Sequence, residues 1–444
     1  MSFLKYSIQT GAVQIGLSGL GVVSGIINAR WLGPAGVGMF VLLIMVSGFA
    51  YRFGNLGLGS ALAFFVARQR MAVRRAVRLA WLIGLIMAVL ACGGLLLFWR
   101  HRLSPWNDIP AGLFYLVLPT VPLFFVMNLL RRILNGQLRI TVINLSAVIN
   151  VLVFLPLLVI YVVVLDLGIV GAVYAYLIGE YATLLYLAVQ FLHRPRAERG
   201  SADGPAVEEA GMLELWRYGR WSYLSILTDT FLGDLPVYFL KYFSTNQAVG
   251  FLSLGRNLAM KPRMVAEPFA KMLFPFTAAS ESKEAARRTC TLCRNVLPMM
   301  ALLVLVLIAI AEPLITLLYG EAFRPAVRLF YALSPTVVFY PIIQFLGVHV
   351  AGSGDPKVVC LTGIVGIAAA VVMCLVLVPA YGAFGAALTI SSVYALVAAL
   401  RLAVYVRRTG ARVSEVLIPQ RSDWQLYRST YAKIRRRMSR KAGA

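Results

Sequence analysis

Residues 28–40 read NARWLGPAGVGMF, an arginine, a tryptophan, a proline and three glycines set between two long apolar runs. A chain that otherwise avoids polarity needs such a joint where it turns. Pro34 suits the start of a tight turn, and the glycines let two helices approach closely. The joint also has an echo. Ala35–Phe40, AGVGMF, is matched by QAVGFL at 247–252, which puts Gly38 and Gly250 212 residues apart. Gly168-Ile-Val-Gly171-Ala returns as Gly382-Ala-Phe-Gly385-Ala after 214 residues, and Leu134-Asn-Gly136 as Val350-Ala-Gly352 after 216. Three short matches in chain order at a near-constant offset predict two homologous halves.

The rest of the chain says what those halves are made of. Its 444 residues are 60% hydrophobic and 14% charged, with a mean hydropathy of +0.79, too little charge to cover a soluble protein of this length. The composition is that of an integral membrane protein. Each crossing of about 30 Å of hydrocarbon must close its own backbone hydrogen bonds, and the alternation of a barrel is absent, so the spans are helices. About twelve are predicted, near 8–28, 38–66, 79–98, 111–130, 141–164, 168–192, 216–240, 248–274, 292–311, 327–350, 357–378 and 383–406. The first run has no small-residue cleavage site and reads as a retained span. With six spans in each half, the halves share one topology and are related by an axis along the membrane normal, leaving a cleft between them near the midplane. The expected architecture is an all-α, V-shaped transporter: a lobe at 1–192, a cytoplasmic linker at 193–213, a second lobe at 214–406 and a basic tail at 407–444.

A net charge of +24 would suit nucleic acid, but its placement argues against that partner. Basic residues cluster in alternate loops: Arg68 to Arg78, Arg131 to Arg139, Arg194 to Arg199, Lys283 to Arg294, and the tail from Arg407. Roughly thirty of the 42 fall on one side, which the positive-inside bias assigns to the cytoplasm together with both termini. Six tryptophans, among them Trp31, Trp99 and Trp216, lie near helix ends, where an amphipathic ring prefers the headgroup zone. In the tail, Ser422 and Gln425 form a capping-box pattern, and Trp424, Tyr427, Tyr431, Ile434 and Met438 follow at helical spacing with basic residues around them. An amphipathic helix on anionic membrane lipids is one reading, and a solvated tail the other. Five cysteines imply no disulfide framework. The CxxC of Cys290 and Cys293 lacks a second ligand pair, so no metal and no cofactor are expected.

The motif ARWLGPAGVGMF at 29–40, followed by LGLGSALAFFVAR at 56–68, resembles the polysaccharide biosynthesis or oligosaccharide flippase family of the multidrug/oligosaccharidyl-lipid/polysaccharide exporter superfamily. LYGEAFRPAVRLF at 318–330 and GSGDPK at 352–357 resemble later stretches of the same family. The resemblance implies a bacterial cytoplasmic-membrane flippase, not an enzyme. It would move an oligosaccharide carried on polyprenyl pyrophosphate to the outer leaflet, beside other polysaccharide-assembly membrane proteins.

Charges at bilayer depth supply the candidate site. A Lys, Arg or Asp near a helix centre costs roughly 2.5 to 3.5 kcal/mol on insertion scales, so it should face a wet cavity or a partner. The eighth span holds Arg256, Lys261, Arg263, Glu267 and Lys271, and at about 100° per residue Arg256, Arg263 and Glu267 share a stripe from which Lys261 points away. Pro262 and Pro268 should bend it. The second span carries Arg52 and Asn55 at nearly the repeat-equivalent depth, so each lobe is expected to send an arginine into the cleft, where its planar fork suits a phosphate. In the alternative reading these arginines pair with Asp229, Asp234 or Glu180 and serve assembly only. The three acids are themselves candidates for ion coupling. Tyr174, Tyr176, Tyr181 and Tyr186 could stack on sugars but read better as packing residues. The rival functions are a drug/cation antiporter, which favours an acidic cavity, and a membrane glycosyltransferase or polymerase, which needs carboxylates or a large external loop. No phosphate-cradling loop precedes a helix, so direct ATP hydrolysis is not expected.

Overall fold

A computed structural model describes residues 3–68, 70–101, 109–137, 139–192, 211–279, 282–353, 356–420 and 423. Among them the chain is helical throughout, with no strand. The first half comprises α1 (Phe3–Gly54), α2 (Leu58–Ala67), α3 (Val73–Arg100), α4 (Ala111–Val117), α5 (Thr120–Gly136), α6 (Ile140–Leu158), which runs into a π-helical turn, and α7 (Gly168–Leu192). The second comprises α8 (Met212–Phe243), α9 (Asn246–Met260), α10 (Arg263–Ala279), α11 (Ser282–Tyr319), α12 (Pro325–Leu333), α13 (Pro335–Gly352), α14 (Pro356–Thr409) and α15 (Val413–Leu417). Eight helical stretches of the described residues are long and apolar enough to cross a membrane. Two of these, within α1 and α14, are interrupted by a non-helical glycine, Gly33 at φ 64° and Gly382 at φ 54°. Large apolar side chains such as Val89, Leu302 and Val376 stand outward, more than 60% of each side chain's full surface being accessible in the first two and 64% in Val376, which fits a lipid environment. Trp31 and Trp216 are likewise exposed.

The sequence echoes occupy equivalent geometry. Gly168 (φ 55°) and Gly382 (φ 54°) both adopt the left-handed conformation that a side chain would strain, and each opens a helix. Gly171 and Gly385, three residues on, both press on a carbonyl, those of Tyr161 and Leu377. Gly136 and Gly352 both end a helix, α5 and α13. The pair Gly38 and Gly250 meets across the halves. A Cβ on Gly38 would lie 1.7 Å from the carbonyl oxygen of Asn246, and one on Gly250 2.1 Å from that of Pro34. Pro34 and Asn246 each stand four residues before a glycine of the pair. The contact is therefore self-complementary, as a two-fold relation requires, and its closeness is the geometry of Cα–H···O contacts between helices.

Arg30 reinforces that end of the molecule. Its Nε and Nη2 donate to the carbonyls of Leu318 (3.1 Å) and Leu317 (2.6 Å) in the last turn of α11, which have no intrahelical partner and carry the negative end of the helix dipole. Toward the other end the contacts between halves run along α8: Phe53 faces Phe231 with ring centroids 5.2 Å apart, Tyr223 Oη donates to the Phe53 carbonyl at 2.8 Å, and Arg70 meets Glu214 at 3.3 Å. The last of these is an exposed pair worth little.

Beyond α14 the chain folds back on α11. Val416 of α15 is fully buried, and Arg294 Nη2 donates to Asp423 Oδ1 at 2.8 Å while the Gln420 N–H donates to Oδ2 at 2.9 Å. Burial alone would push the Asp423 carboxyl up. The bonds from Arg294 and Gln420, with the Arg294 charge, hold it below the usual carboxylate range instead. Its contribution is thus complete above the unfolded value of about 4 and is lost only as pH falls through the lowered one. Residues 193–210 and 424–444 lie outside the described residues, and with them most of the expected linker and the expected amphipathic tail helix.

Two tests follow from this packing. Gly38→Val or Gly250→Val should lower stability by roughly 1 to 3 kcal/mol, the usual cost of overpacking, whereas Gly93→Ala, with nothing within 4 Å of its Cβ, should not. Equal unfolding midpoints for all three in detergent would refute the contact. Asp423→Asn should speed tryptic cleavage at the exposed Arg412 at neutral pH, and an unchanged rate would show that the Arg294 pair does not hold this segment.

Candidate functional site

The two spans expected to carry ligand contacts are both broken, and the breaks place the charges. The second span stops at Gly54 and resumes at Leu58 through Leu56 (φ 46°) and Gly57 (φ 78°). Asn55 is buried there, and its Oδ1 accepts the Gly59 N–H at 3.3 Å, so this side chain is occupied in starting α2. The eighth span stops at Met260 and resumes at Arg263, because Pro262 has no N–H to continue the ladder and its ring crowds the preceding turn. Interrupted helices in corresponding spans of two halves are where membrane carriers build binding sites.

Asp234 of α8 lies at the seam. It is 5% exposed, its Oδ2 accepts from Arg52 Nη1 of the first half, and its Oδ1 accepts from Arg256 Nη2 of the second. Arg256 is further fixed by its Nη1, which donates to the Gly233 carbonyl at 2.9 Å. Two guanidiniums share one carboxylate, so the cluster keeps an excess positive charge. Pairing with an acid, the alternative considered from sequence, therefore holds for Arg52 and Arg256 through Asp234.

Arg263 is placed differently. Its guanidinium carbon lies 4.3 Å from the ring centre of Tyr340 on α13 and 4.9 Å from that of Tyr394 on α14. Two such rings can offset about 2 kcal/mol or more of its desolvation. They do not satisfy its donors. Nε and Nη2 are buried without a hydrogen-bond partner among the described residues. Tyr340 and Tyr394 were not singled out in the sequence, since a span rich in aromatic residues gives no sign of which rings will flank a cation.

The stripe drawn from an unbroken eighth span needs correction. Because the axis is interrupted at Lys261 and Pro262, before Arg263, no single stripe runs from Arg256 to Arg263 and Glu267, and Glu267 stands one turn beyond Arg263 on α10. It lines a cleft of about 340 Å³ with Lys261, Met264 and, from α1, Leu17 and Ser18. Lys261 Nζ donates to the Ser18 carbonyl at 3.4 Å and also borders an apolar cavity of about 620 Å³ lined by Val22, Pro262, Leu303, Leu307 and Phe330 among others. The side chains of Lys271 and Asp229 lie outside the described residues. Glu180 stands apart from the seam, between α6 and α7. Its Oε1 accepts from Asn150 Nδ2 at 3.3 Å, that nitrogen also donates to Thr183 Oγ1 at 3.2 Å, and Oε2 is buried with no partner among the described residues. Tyr174 and Tyr181 face outward, and Tyr176 packs edge-on against Phe40 at 6.4 Å.

A stability comparison separates the two kinds of arginine. Arg263→Met should leave the unfolding midpoint unchanged or raise it, since a charge without hydrogen bonds is exchanged for an apolar chain of similar volume. Arg256→Met should lower it, by about 1 to 3 kcal/mol, because the Gly233 carbonyl and one oxygen of Asp234 lose a charged donor while Arg52 still holds the carboxylate. Equal losses would mean that Arg263 is a structural residue like Arg256.

A family model described as polysaccharide biosynthesis protein matches residues 3–281. No curated protein matches the sequence of the chain. Among solved structures, an inward-facing multidrug resistance transporter of the MATE family in the MOP superfamily is similar, with a TM-score of 0.71 at 16% identity over 90% of this chain and 98% of that one. An outward-facing transporter of that family gives 0.60 at 15% over 91% and 96%. A MOP superfamily transporter from Pyrococcus furiosus, for which a reverse polarity of the binding pocket suggests a different function, gives 0.63 at 16% over 92% and 96%. At these identities the likeness shows the fold, that of a multi-pass helical membrane transporter. With the family model covering well over half its length, the chain belongs to the polysaccharide biosynthesis protein family.

Proposed function

We propose that this protein is a flippase that carries a lipid-linked oligosaccharide, bound through its polyprenyl pyrophosphate, across the bacterial cytoplasmic membrane by alternating access. The observation that carries this reading is the cationic seam at bilayer depth: Arg52 and Arg256 with one acid between them, and Arg263 with two buried donors unfilled. A polyprenyl pyrophosphate presents several acceptor oxygens that could take those donors while its chain stays in the bilayer, and the family model supports a glycan as the group carried. The lobes, their boundaries near residues 192 and 214, and the cytoplasmic placement of the basic loops and termini are part of the same proposal. With that orientation the glycine contact and the Arg30 clamp close the outer end, and the site is reached from the cytoplasmic side. Glu180, whose Oε2 has no hydrogen-bond partner among the described residues and which lies near the charge of Arg131, is the proposed ion-coupling carboxylate, and the basic tail the proposed contact with anionic lipids.

A drug/cation antiporter is the second reading, since the structural neighbours include multidrug transporters. Such a cargo needs unpaired acids, and at the seam Asp234 is already taken up by two arginines. The test is reconstitution in liposomes with a fluorescent lipid-pyrophosphate oligosaccharide. Arg263→Ala and Arg52→Ala should each reduce leaflet transfer at least tenfold, the scale on which loss of a charge-assisted anion contact of about 1.4 kcal/mol or more is felt. Full transfer in both would remove the site assignment, and transfer of an organic cation instead would establish the rival.

A further inference from the structure

Resting on that reading, we infer that Asp234 is an internal stand-in for the passenger's phosphate: it occupies Arg52 in the empty carrier, and binding of an anionic lipid headgroup exchanges it out. The geometry is asymmetric in the way such an exchange requires. Arg256 belongs to the same half as Asp234 and is doubly tied, to Asp234 Oδ1 and to the Gly233 carbonyl. Arg52 comes from the other half, reaches Asp234 Oδ2 through the single nitrogen Nη1, and keeps a third of its side chain accessible. When an anion takes Arg52, Asp234 and Arg256 remain as a matched pair, so no buried charge is orphaned. Withdrawing Arg256 instead would also break its bond to the Gly233 carbonyl, so that arm is not the one exchanged.

Charge also sets the order of events. Arg263 lies seven residues beyond Arg256, past the break at Lys261 and Pro262 and nearer in sequence to the basic loop at Lys283–Arg294, and its unfilled donors meet the headgroup first. Arg52 follows, drawn from a single carboxylate to an acceptor with more oxygens and more negative charge. The exchange breaks the ion pair that joins the halves at this depth, while the Gly38–Gly250 contact at the opposite end is untouched. A neutral lipid of the same length has nothing to offer Arg52 and leaves the seam closed. Asp234 thereby acts as a specificity-determining residue: cargo lacking an anionic headgroup cannot displace it.

The experiment is a binding cycle with the full-length chain in detergent micelles, using geranylgeranyl pyrophosphate as ligand and geranylgeraniol as its neutral counterpart. Asp234→Asn, which keeps the shape and an acceptor for Arg256, should bind the pyrophosphate roughly tenfold or more tightly than the unmodified protein, since no resting partner need be displaced. In the Arg52→Ala background the same change should give no gain, because its effect passes through Arg52. A gain of equal size in both backgrounds would reduce Asp234 to a nearby repelling charge and overturn the inference, as would no gain in either. If the unmodified protein binds pyrophosphate and alcohol alike, the functional reading falls and takes the inference with it. A second measurement leaves Asp234 in place. Phe53→Cys with Phe231→Cys, at positions whose rings face across this seam, should form a disulfide several-fold more slowly in the presence of the pyrophosphate than of the alcohol. One rate with both would overturn the inference even if the Asp234 variants do not fold.

Discussion

A carboxylate held between two guanidiniums from opposite halves is the interaction around which this molecule is organised. Charges set among apolar spans are costly to leave unpaired, so each is expected to find the other or a passenger. Asp234 stabilises Arg52 and Arg256 together, but one negative charge does not balance two positive ones. The proposed anion site rests on that imbalance, together with the two buried donors of Arg263 that have no partner among the described residues. A chain assembled for stability alone would do better with apolar residues at all four positions, since replacing buried ion pairs by well-packed hydrophobic groups is often neutral or favourable.

The two ends of the seam do different work because they are made of different chemistry. Where Gly38 and Gly250 interlock, the contact is backbone on backbone, without desolvated charge, and insensitive to what the interior holds. Along α8 the contacts are side chains, an ion pair, two facing rings and a tyrosine hydroxyl, each separable at modest cost. The cavity of about 620 Å³ beside Lys261 lies on the other flank, where α1 and the α10 region touch little, and its lining is nearly all apolar.

The architecture was legible in the sequence because its determinants are local. Where a neighbouring carbonyl lies against the backbone a side chain has no room, and a positive φ favours glycine, so Gly38/Gly250 and Gly168/Gly382 stand out as echoes between the two halves of the sequence. The site was legible only in part. The costly residues could be named, since charge at bilayer depth stands out against apolar surroundings. Their arrangement could not: a helical wheel assumes one straight axis, and the two-residue joint at Lys261 and Pro262 separates Arg256 from Arg263 and Glu267. Asp234, one of three acids that could either pair with these arginines or couple an ion, is bonded to both Arg52 and Arg256. The rings flanking Arg263 come from helices remote in sequence, and no periodicity marks them.

The turn at Gly382 has a consequence for how the protein is made. It joins two apolar helices through a single non-helical residue, and from Val358 to Leu400 the flanking sequence carries no charged side chain. Moving such a bend through hydrocarbon during synthesis exposes only a few backbone groups, and α14 has no flanking charge within this stretch by which a charge bias would orient it. A charge introduced beside Gly382 would act on biogenesis before it touched folding or transport.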